Sequence, residues 1–545
     1  MRMRAVLAAA GIAALTAGAY CTLARNDFVD YDDFGHIVAD PVVTAPLGLE
    51  TVRAAFRLSH TAAYWQPLTV LSLAVDHALA GPSPAAHHLE NLFWHLGAAV
   101  AVLLLFARTT GMFWRAAAVA TLFAIHPITV ESVAWAVERR NVLAGFFGLW
   151  SFFAYSEWVR RGSAWRYAAS LLLFAASLLS KGLLLPGAAM LLALSFWPME
   201  RPDLKRTLLE VVPFAAVSGA VAATVLYTLG ADLPGEPPLL LRLENAAVLP
   251  FRQLLHLAWP VELSVYYPYP LEVPTWQWGL AGAALVAISG ATFVLRRRAP
   301  YLLFGWAWFL AGLLPTLGLK QRGQWAALAD RHVYVAALGI YAAGVWGVAD
   351  LLRRWHRLLA PALAAAVALA LVPLTLRQVS FWRDTVSLFR RADAVADRPD
   401  EFIKYGLGKA LADGGGYEEG EDYLLQAVAL APTHYEACFS LGRAYLLDGQ
   451  GRYGLAAEYL GRAIRLYPAH VGARATLGSA LNRLGRYSET VTLLERGPFT
   501  PEARLNLGVA YAATGQLEEA RRQAAALGDG PLGAALRGFI SQRAR

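Results

Sequence analysis

The chain has 545 residues, 57% hydrophobic and only 16% charged, with a formal charge of +8. A water-soluble protein of this length carries about 25% charged residues, so an ordinary soluble enzyme is excluded and most of the chain is expected in lipid. The arginines and 17 tryptophans fit one-sided basic loops and interfacial indoles rather than nucleic-acid binding, and Cys21 and Cys438, in separate segments, offer neither a disulfide framework nor a Cys-rich metal site.

The elements follow in chain order. Residues 5 to 23 form an apolar run after MRMR with no clear small-residue cleavage site, which reads as an uncleaved first span with a cytoplasmic N-terminus. Further spans centre near residues 98, 122, 149, 173, 189, 218, 286, 310, 342 and 367, some broken by Pro127, Pro186 and Pro315, for about eleven in all. Residues 64 to 81 carry Asp76 and His77 in mid-segment and read as an interfacial helix lying on the membrane. With that assignment the short connections holding Arg108 and Arg115, Arg160, Arg161 and Arg166, Arg201, Lys205 and Arg206, Arg296 to Arg298, and Arg353, Arg354 and Arg357 all fall on one side. The positive-inside rule makes that side cytoplasmic. The loops 24–87 and 231–275, and the tail, then face the other compartment.

From about residue 399 the composition turns soluble and helical. Gly408, Gly442, Gly478 and Gly508 each follow a leucine, at spacings of 34, 36 and 30 residues, and Pro432 and Pro468 close units. A 34-residue helix-turn-helix period with a small residue between paired helices is the tetratricopeptide pattern, whose stacked units form a groove suited to a peptide or a partner helix. A purely dimerising or stiffening array is the alternative. The fourth unit departs from the pattern at ERGPFTPEA and reads as a cap.

Candidate chemistry gathers in three places. FVDYDDFGHIVADP, just after the first span, holds Asp30, Asp32, Asp33 and Asp40. These are either solvated surface carboxylates or, at the membrane surface beside a lipid-linked substrate, a base for an acceptor hydroxyl. HPITVESVAWAVERRNVLAG contains His126, Glu131, Glu138, Arg139, Arg140 and Asn141. Charges at membrane depth face a cavity or one another, so either a structural ion pair or a phosphate site follows, since guanidinium forks match phosphate oxygens. Lys181 and Arg331 could converge on the same anion, with Arg322 a weaker candidate. His88, Asn91 and His95 share a helix face, which suits packing or hydrogen bonding better than metal binding; a divalent metal stays open. Tyr266, Tyr267, Tyr269, Trp276 and Trp278 read as an interfacial belt, with sugar stacking as the other option. No Gly-rich phosphate loop, zincin helix or nucleophile elbow is present.

On VDYDD, YWQPLTVLS, HHLENLFWH, FAIHPITVESVAWAVERRNVLAG, SLLSKGLLLP, WPVELSVYYPYP, ALADRHVYV and QVSFWRDTVSLFRRA, the chain resembles the polytopic GT-C-class glycosyltransferases with tetratricopeptide tails. Those are bacterial relatives of the transmembrane O-mannosyltransferases. The resemblance implies an all-α fold: a membrane bundle over 1–376 whose first extracytoplasmic loop carries interfacial helices, a connecting helix at 377–398, and an extracytoplasmic repeat domain at 399–545. It implies a monosaccharide donor on a polyprenyl phosphate and Asp32 or Asp33 as the base or acceptor-orienting residue, and Arg139, Arg140 and Lys181 lie at its basic positions; with such a donor, these three and Arg331 are expected to clamp the phosphate. His88, His126, Glu131, Glu138 and Arg322 are secondary candidates. Where related sequences show Asp, this chain has Asn141. The implied reaction is inverting transfer in the inner membrane to an acceptor on the periplasmic side, a protein hydroxyl recruited by the repeats. A catalytically degenerate scaffold recruiting envelope or secretion partners, or the same chemistry on a glycan or lipid, are the competing readings.

Overall fold

The computed structural model describes residues 2–58, 65–229, 237–320, 326–353, 356, 358–497 and 499–543; Arg322, Arg354 and Arg357 lie outside them. The chain folds into two compact units, Met1–Val395 and Ala396–Arg545, and the described residues are helical with no strand.

The first unit runs α1 (Arg2–Ala19), α2 (Leu49–Phe56), α3 (Pro67–Ala80), α4 (Pro84–Thr110), α5 (Phe113–Ile125), α6 (Val130–Ala134), α7 (Arg139–Arg161) and α8 (Ala164–Ser180). It continues through α9 (Gly187–Phe196), α10 (Leu204–Leu229), α11 (Leu239–Ala258), α12 (Thr275–Val294), α13 (Pro300–Leu313), α14 (Ala337–Leu352), α15 (Leu359–Ser380) and α16 (Thr385–Val395). Boundaries follow local chemistry. Proline opens α3 and α4, where its missing N–H costs nothing, and glycine at positive φ closes α3, α4 and α7 at Gly81, Gly111 and Gly162.

Each expected span centre falls in a helix, but not every one of those helices is long enough to cross a bilayer alone. Among the described residues, six helices are long and apolar enough to cross a bilayer, or seven if α5 and the stretch Pro127–Ala134, bent by 51°, form one span. The segments around α8, α9, α13 and α14 are apolar but short, as is α3. Hydropathy finds apolar stretches and cannot distinguish one long helix from two short ones broken at Pro127 or Lys181. This is a helical membrane protein. The loop expected over 231–275 contains a 20-residue helix, α11, that hydropathy passes over because Arg242, Glu244, Asn245, Arg252 and Gln253 interrupt its apolar residues. α15 ends at Ser380, a few residues beyond the expected boundary at 376, and α16 is a separate helix.

The core of this unit lies between α4, α5, α7, α13 and α14, where Phe106, Phe123, Phe152, Tyr334 and Trp308 are fully buried. With little hydrophobic drive between helices in lipid, close van der Waals fit holds them together.

The second unit stacks helical pairs: α17 (Glu401–Asp413) with α18 (Tyr417–Leu430), α19 (Tyr435–Leu447) with α20 (Tyr453–Leu466), and α21 (Val471–Arg483) with α22 (Tyr487–Leu494). The pair α23 (Pro501–Ala513) and α24 (Leu517–Ala526) follows, and α25 (Pro531–Arg543) packs on both. The repeated glycine has a steric cause. A Cβ at Gly408 would meet the backbone N of Leu424 at 2.8 Å, and one at Gly442 that of Leu460 at 3.0 Å. Leu424, Leu441 and Leu460 are wholly buried beneath, each stabilising the unit by about 2 kcal/mol.

Candidate functional site

The helix break after α5 builds the site. His126 caps the break: its Nδ1 accepts from the Ile128 N–H (3.2 Å), which leaves Nε2–H to donate to the Leu257 carbonyl (3.0 Å). Both ring nitrogens of this secondary candidate therefore serve backbone. The chain then turns through α6 and a short 3-10 turn, Ala136–Glu138, into α7. Asn91 on α4 fixes this turn by donating to the carbonyls of Val133, Trp135 and Ala136 at 3.0 to 3.3 Å. His95 bonds Tyr334 and the Ala124 carbonyl, and His88 contacts the Asp27 carbonyl at 3.4 Å.

Arg139 and Arg140 begin α7. Cations at a helix N-terminus oppose its dipole, so each needs local anions, and the two find different ones. Arg139 is fully buried and every one of its five N–H donors has an acceptor. Nε meets Asn91, Nη1 meets Ser72 (2.8 Å) and Glu90 (3.0 Å), and Nη2 meets Asp76 (2.7 Å) and the His87 carbonyl (3.0 Å). The expectation that Arg139 holds a donor phosphate does not fit this geometry, because no donor remains. Asp76, whose sequence setting suggests a charge on an interfacial helix, is the buried partner that ties α3 to α7.

Arg140 turns the other way. Its guanidinium meets Glu138 at 2.6 Å and lies 3.7 Å from Asp32. Glu138 is fully buried and also accepts from Lys181 (2.8 Å), while Arg331 Nε stands 3.7 Å away. Arg331 forms a second ion pair with Glu131, which also accepts the Arg331 N–H at 2.7 Å. Three cations thus surround one carboxylate. Trp135 walls the cluster, with Arg331 and Arg140 at 5.3 and 5.8 Å from its ring centroid. Lys181 and Arg331 keep 20% and 16% of their side-chain surface open. A cleft of about 40 Å³ between the first loop and α3, lined by His36, Asp40, Thr69 and Leu73, reaches Arg140.

Breaks in regular structure deliver these groups. Lys181 sits in extended conformation where α8 stops, and Thr69 on α3 donates to the freed Ser180 carbonyl at 2.9 Å. Asn141 donates to Ser132 Oγ and to the Arg331 carbonyl, both at 2.8 Å. An ionised Asp could donate to neither, so the departure at this position has a local use.

The first-loop aspartates separate. Asp33 is fully buried and accepts from the N–H groups of Val29 (3.0 Å) and Val137 (2.9 Å), pinning the loop to the turn before Glu138. Burial pushes its carboxyl up to about 7 against the pull of those two bonds. Asp32 is the open member, its side chain 36% exposed. Burial raises its carboxyl above the ordinary range while Arg140 and His36 pull it back. The loop is also held from behind: the Asp27 N–H donates to the Arg383 carbonyl (2.8 Å), and the Asp30 N–H to Thr385 Oγ1 (2.8 Å). The FWRDT junction therefore seats the acidic loop, a role its sequence does not announce.

Among the described residues no three His, Cys, Asp or Glu side chains gather as a metal site. Tyr266 and Tyr269 are buried and Tyr267 bonds Asp330, so the tyrosines are interior rather than an interfacial belt or an open sugar platform; Trp276 is exposed.

The tetratricopeptide repeat model matches residues 405–450, 444–489 and 491–534. The second unit is a tetratricopeptide-repeat array. The chain is also similar to the protein O-mannosyl-transferases TMTC1 of Mus musculus (34% identical, 30% of this chain and 18% of that one) and TMTC1 of Homo sapiens (35%, covering 29% and 19%). Tmtc2 of Drosophila melanogaster, also named a protein O-mannosyl-transferase, is 32% identical over 22% of this chain and 13% of its own. The chain thus spans less than a fifth of the length of these relatives. A solved structure, MamA MSR-1 C2, aligns with 29% of this chain and 88% of its own at 23% identity and a TM-score of 0.23.

Proposed function

We propose that the protein transfers a monosaccharide from a polyprenyl-phosphate donor to a hydroxyl of a polypeptide, on the extracytoplasmic side of the inner membrane. The observation that carries this reading is the juxtaposition of Asp32 with Arg140, Lys181 and Arg331 around Glu138. A sugar leaving phosphate needs two things: charge stabilisation on the departing oxygen and removal of the nucleophile's proton. The partly open faces of Lys181 and Arg331, with Arg140 behind them, serve the first. Asp32, accessible and with a raised carboxyl, serves the second as general base. Backside displacement in one step inverts the anomeric centre. Asp33 acts as a structural staple that keeps Asp32 in register, and the repeats supply the acceptor-binding surface. The relatives' names make mannose the first sugar to test.

The test is transfer by the purified full chain in lipid nanodiscs, with polyprenyl-phosphate mannose and an envelope-protein extract, read by intact-mass spectrometry. Transfer that Asp32→Asn abolishes supports the proposal. Transfer undiminished in Asp32→Asn refutes the base, and labelled glycan or lipid with unlabelled protein redirects the acceptor. A wild-type chain that neither transfers nor is thermally stabilised by the donor would mark a scaffold instead.

A further inference from the structure

Arg331 is the cation whose placement local sequence explains least, since it lies in a connection between α13 and α14 rather than on a helix end. What holds it comes from α11 and the chain after it. Asn245 Nδ2 donates to the Ala327 carbonyl (3.0 Å) and Gln253 Nε2 to the Ala329 carbonyl (2.9 Å). The Ala327 N–H donates to the Tyr267 carbonyl at 3.0 Å. Asp330, buried next to Arg331, takes the Tyr267 hydroxyl at 3.0 Å on both oxygens and His256 Nδ1 at 3.0 Å, while the Ser264 N–H donates to the Tyr267 hydroxyl (2.9 Å). Asn245, Gln253 and His256 fall at intervals of eight and three, one face of α11.

We propose that α11 and the loop bearing Tyr267 form a clamp on residues 327–330, with His256, Tyr267 and Asp330 as positioning residues that aim Arg331 at the phosphate site. All three act through the backbone that carries Arg331, whose own N–H and guanidinium reach Glu131 and Glu138. Because the buried Asp330 carboxylate is held by one donor on α11 and one on the loop after it, loosening this clamp frees Arg331 to swing, and the cluster loses one of its two partly exposed cations. The inference rests on the proposed phosphate site, yet its geometry is independently measurable.

The experiment uses the full chain in nanodiscs with two readouts: hydrogen exchange of the amides at 327–333, and inhibition of transfer by polyprenyl monophosphate. Tyr267→Phe, which keeps the ring, and Asp330→Asn should speed exchange at 327–333 by about tenfold. They should weaken polyprenyl monophosphate about tenfold and raise the donor KM, with the acceptor KM unchanged. Combining Asp330→Asn with Arg331→Lys should cost no more than Arg331→Lys alone, since groups acting through one another are not additive. Exchange in Tyr267→Phe equal to wild type, or full additivity in the double variant, overturns the clamp. A wild-type chain indifferent to polyprenyl monophosphate overturns the phosphate site itself, a failure visible before any variant is made.

Discussion

The Asp32 carboxylate and the Arg140 guanidinium lie 3.7 Å apart, close enough to attract and too far to be locked in a hydrogen-bonded pair. A fully engaged carboxylate would be a poor base. At this separation Arg140 stays committed to Glu138, and Asp32 keeps an open face for an acceptor hydroxyl.

Asp32→Asn should lower kcat by about 10²- to 10⁴-fold, the usual contribution of general base catalysis, with little change in the thermal midpoint. Parallel turnover and unfolding measurements check this. A large loss of stability with intact kcat would exchange the roles of the two aspartates.

Asp33→Asn should show the opposite pattern. Asn can accept only one of the two backbone N–H bonds, so a buried donor is left without a partner, at a cost of about 1–3 kcal/mol. A pH signature accompanies it. The folded-state value near 7 stands above the unfolded value near 3.9, so this proton stabilises the fold fully below about pH 4, and that contribution is lost as pH rises through 7. The neutral variant should lack this slope in thermal unfolding between pH 4 and 8.

The activity profile should carry a separate limb. Transfer needs ionised Asp32, so kcat/KM should rise with pH along a limb lying above the usual carboxylate range, because burial raises this carboxyl. The limb should vanish in Asp32→Asn.

The two adjacent arginines should respond differently. Arg140→Ala should raise the donor KM or lower kcat by about 10²-fold, the scale of losing one charge-stabilising donor. Arg139→Met strands Asp76 and Glu90, and breaking a buried pair costs about 3–5 kcal/mol. Its readout is lost expression and folding, measured by size-exclusion recovery from membranes. Normal recovery of Arg139→Met with failed donor binding would return Arg139 to the phosphate.

The legible parts of this chain are those with short sequence range. The Leu-Gly pairs at 408 and 442 announce the repeats because the next helix passes within contact of the missing Cβ. Apolar runs locate the span centres, and the YDD motif locates the acidic loop. Three things were hidden by distance along the chain. Arg139 and Arg140 are neighbours in sequence, and only the folded positions of Asp76 and Asp32 send them apart. Asp32 and Asp33 look alike until Val137 claims one of them. α11 reads as loop in the sequence because its inward polar residues, Asn245, Gln253 and His256, serve partners 74 to 82 residues downstream.

The Arg139 network bears on how the molecule is made. A guanidinium entering the bilayer unescorted is heavily penalised, yet synthesis runs from the N-terminus. Asp76 and Glu90 therefore leave the ribosome before Arg139 does. Both anions are thus already made when the cation that pairs with them emerges.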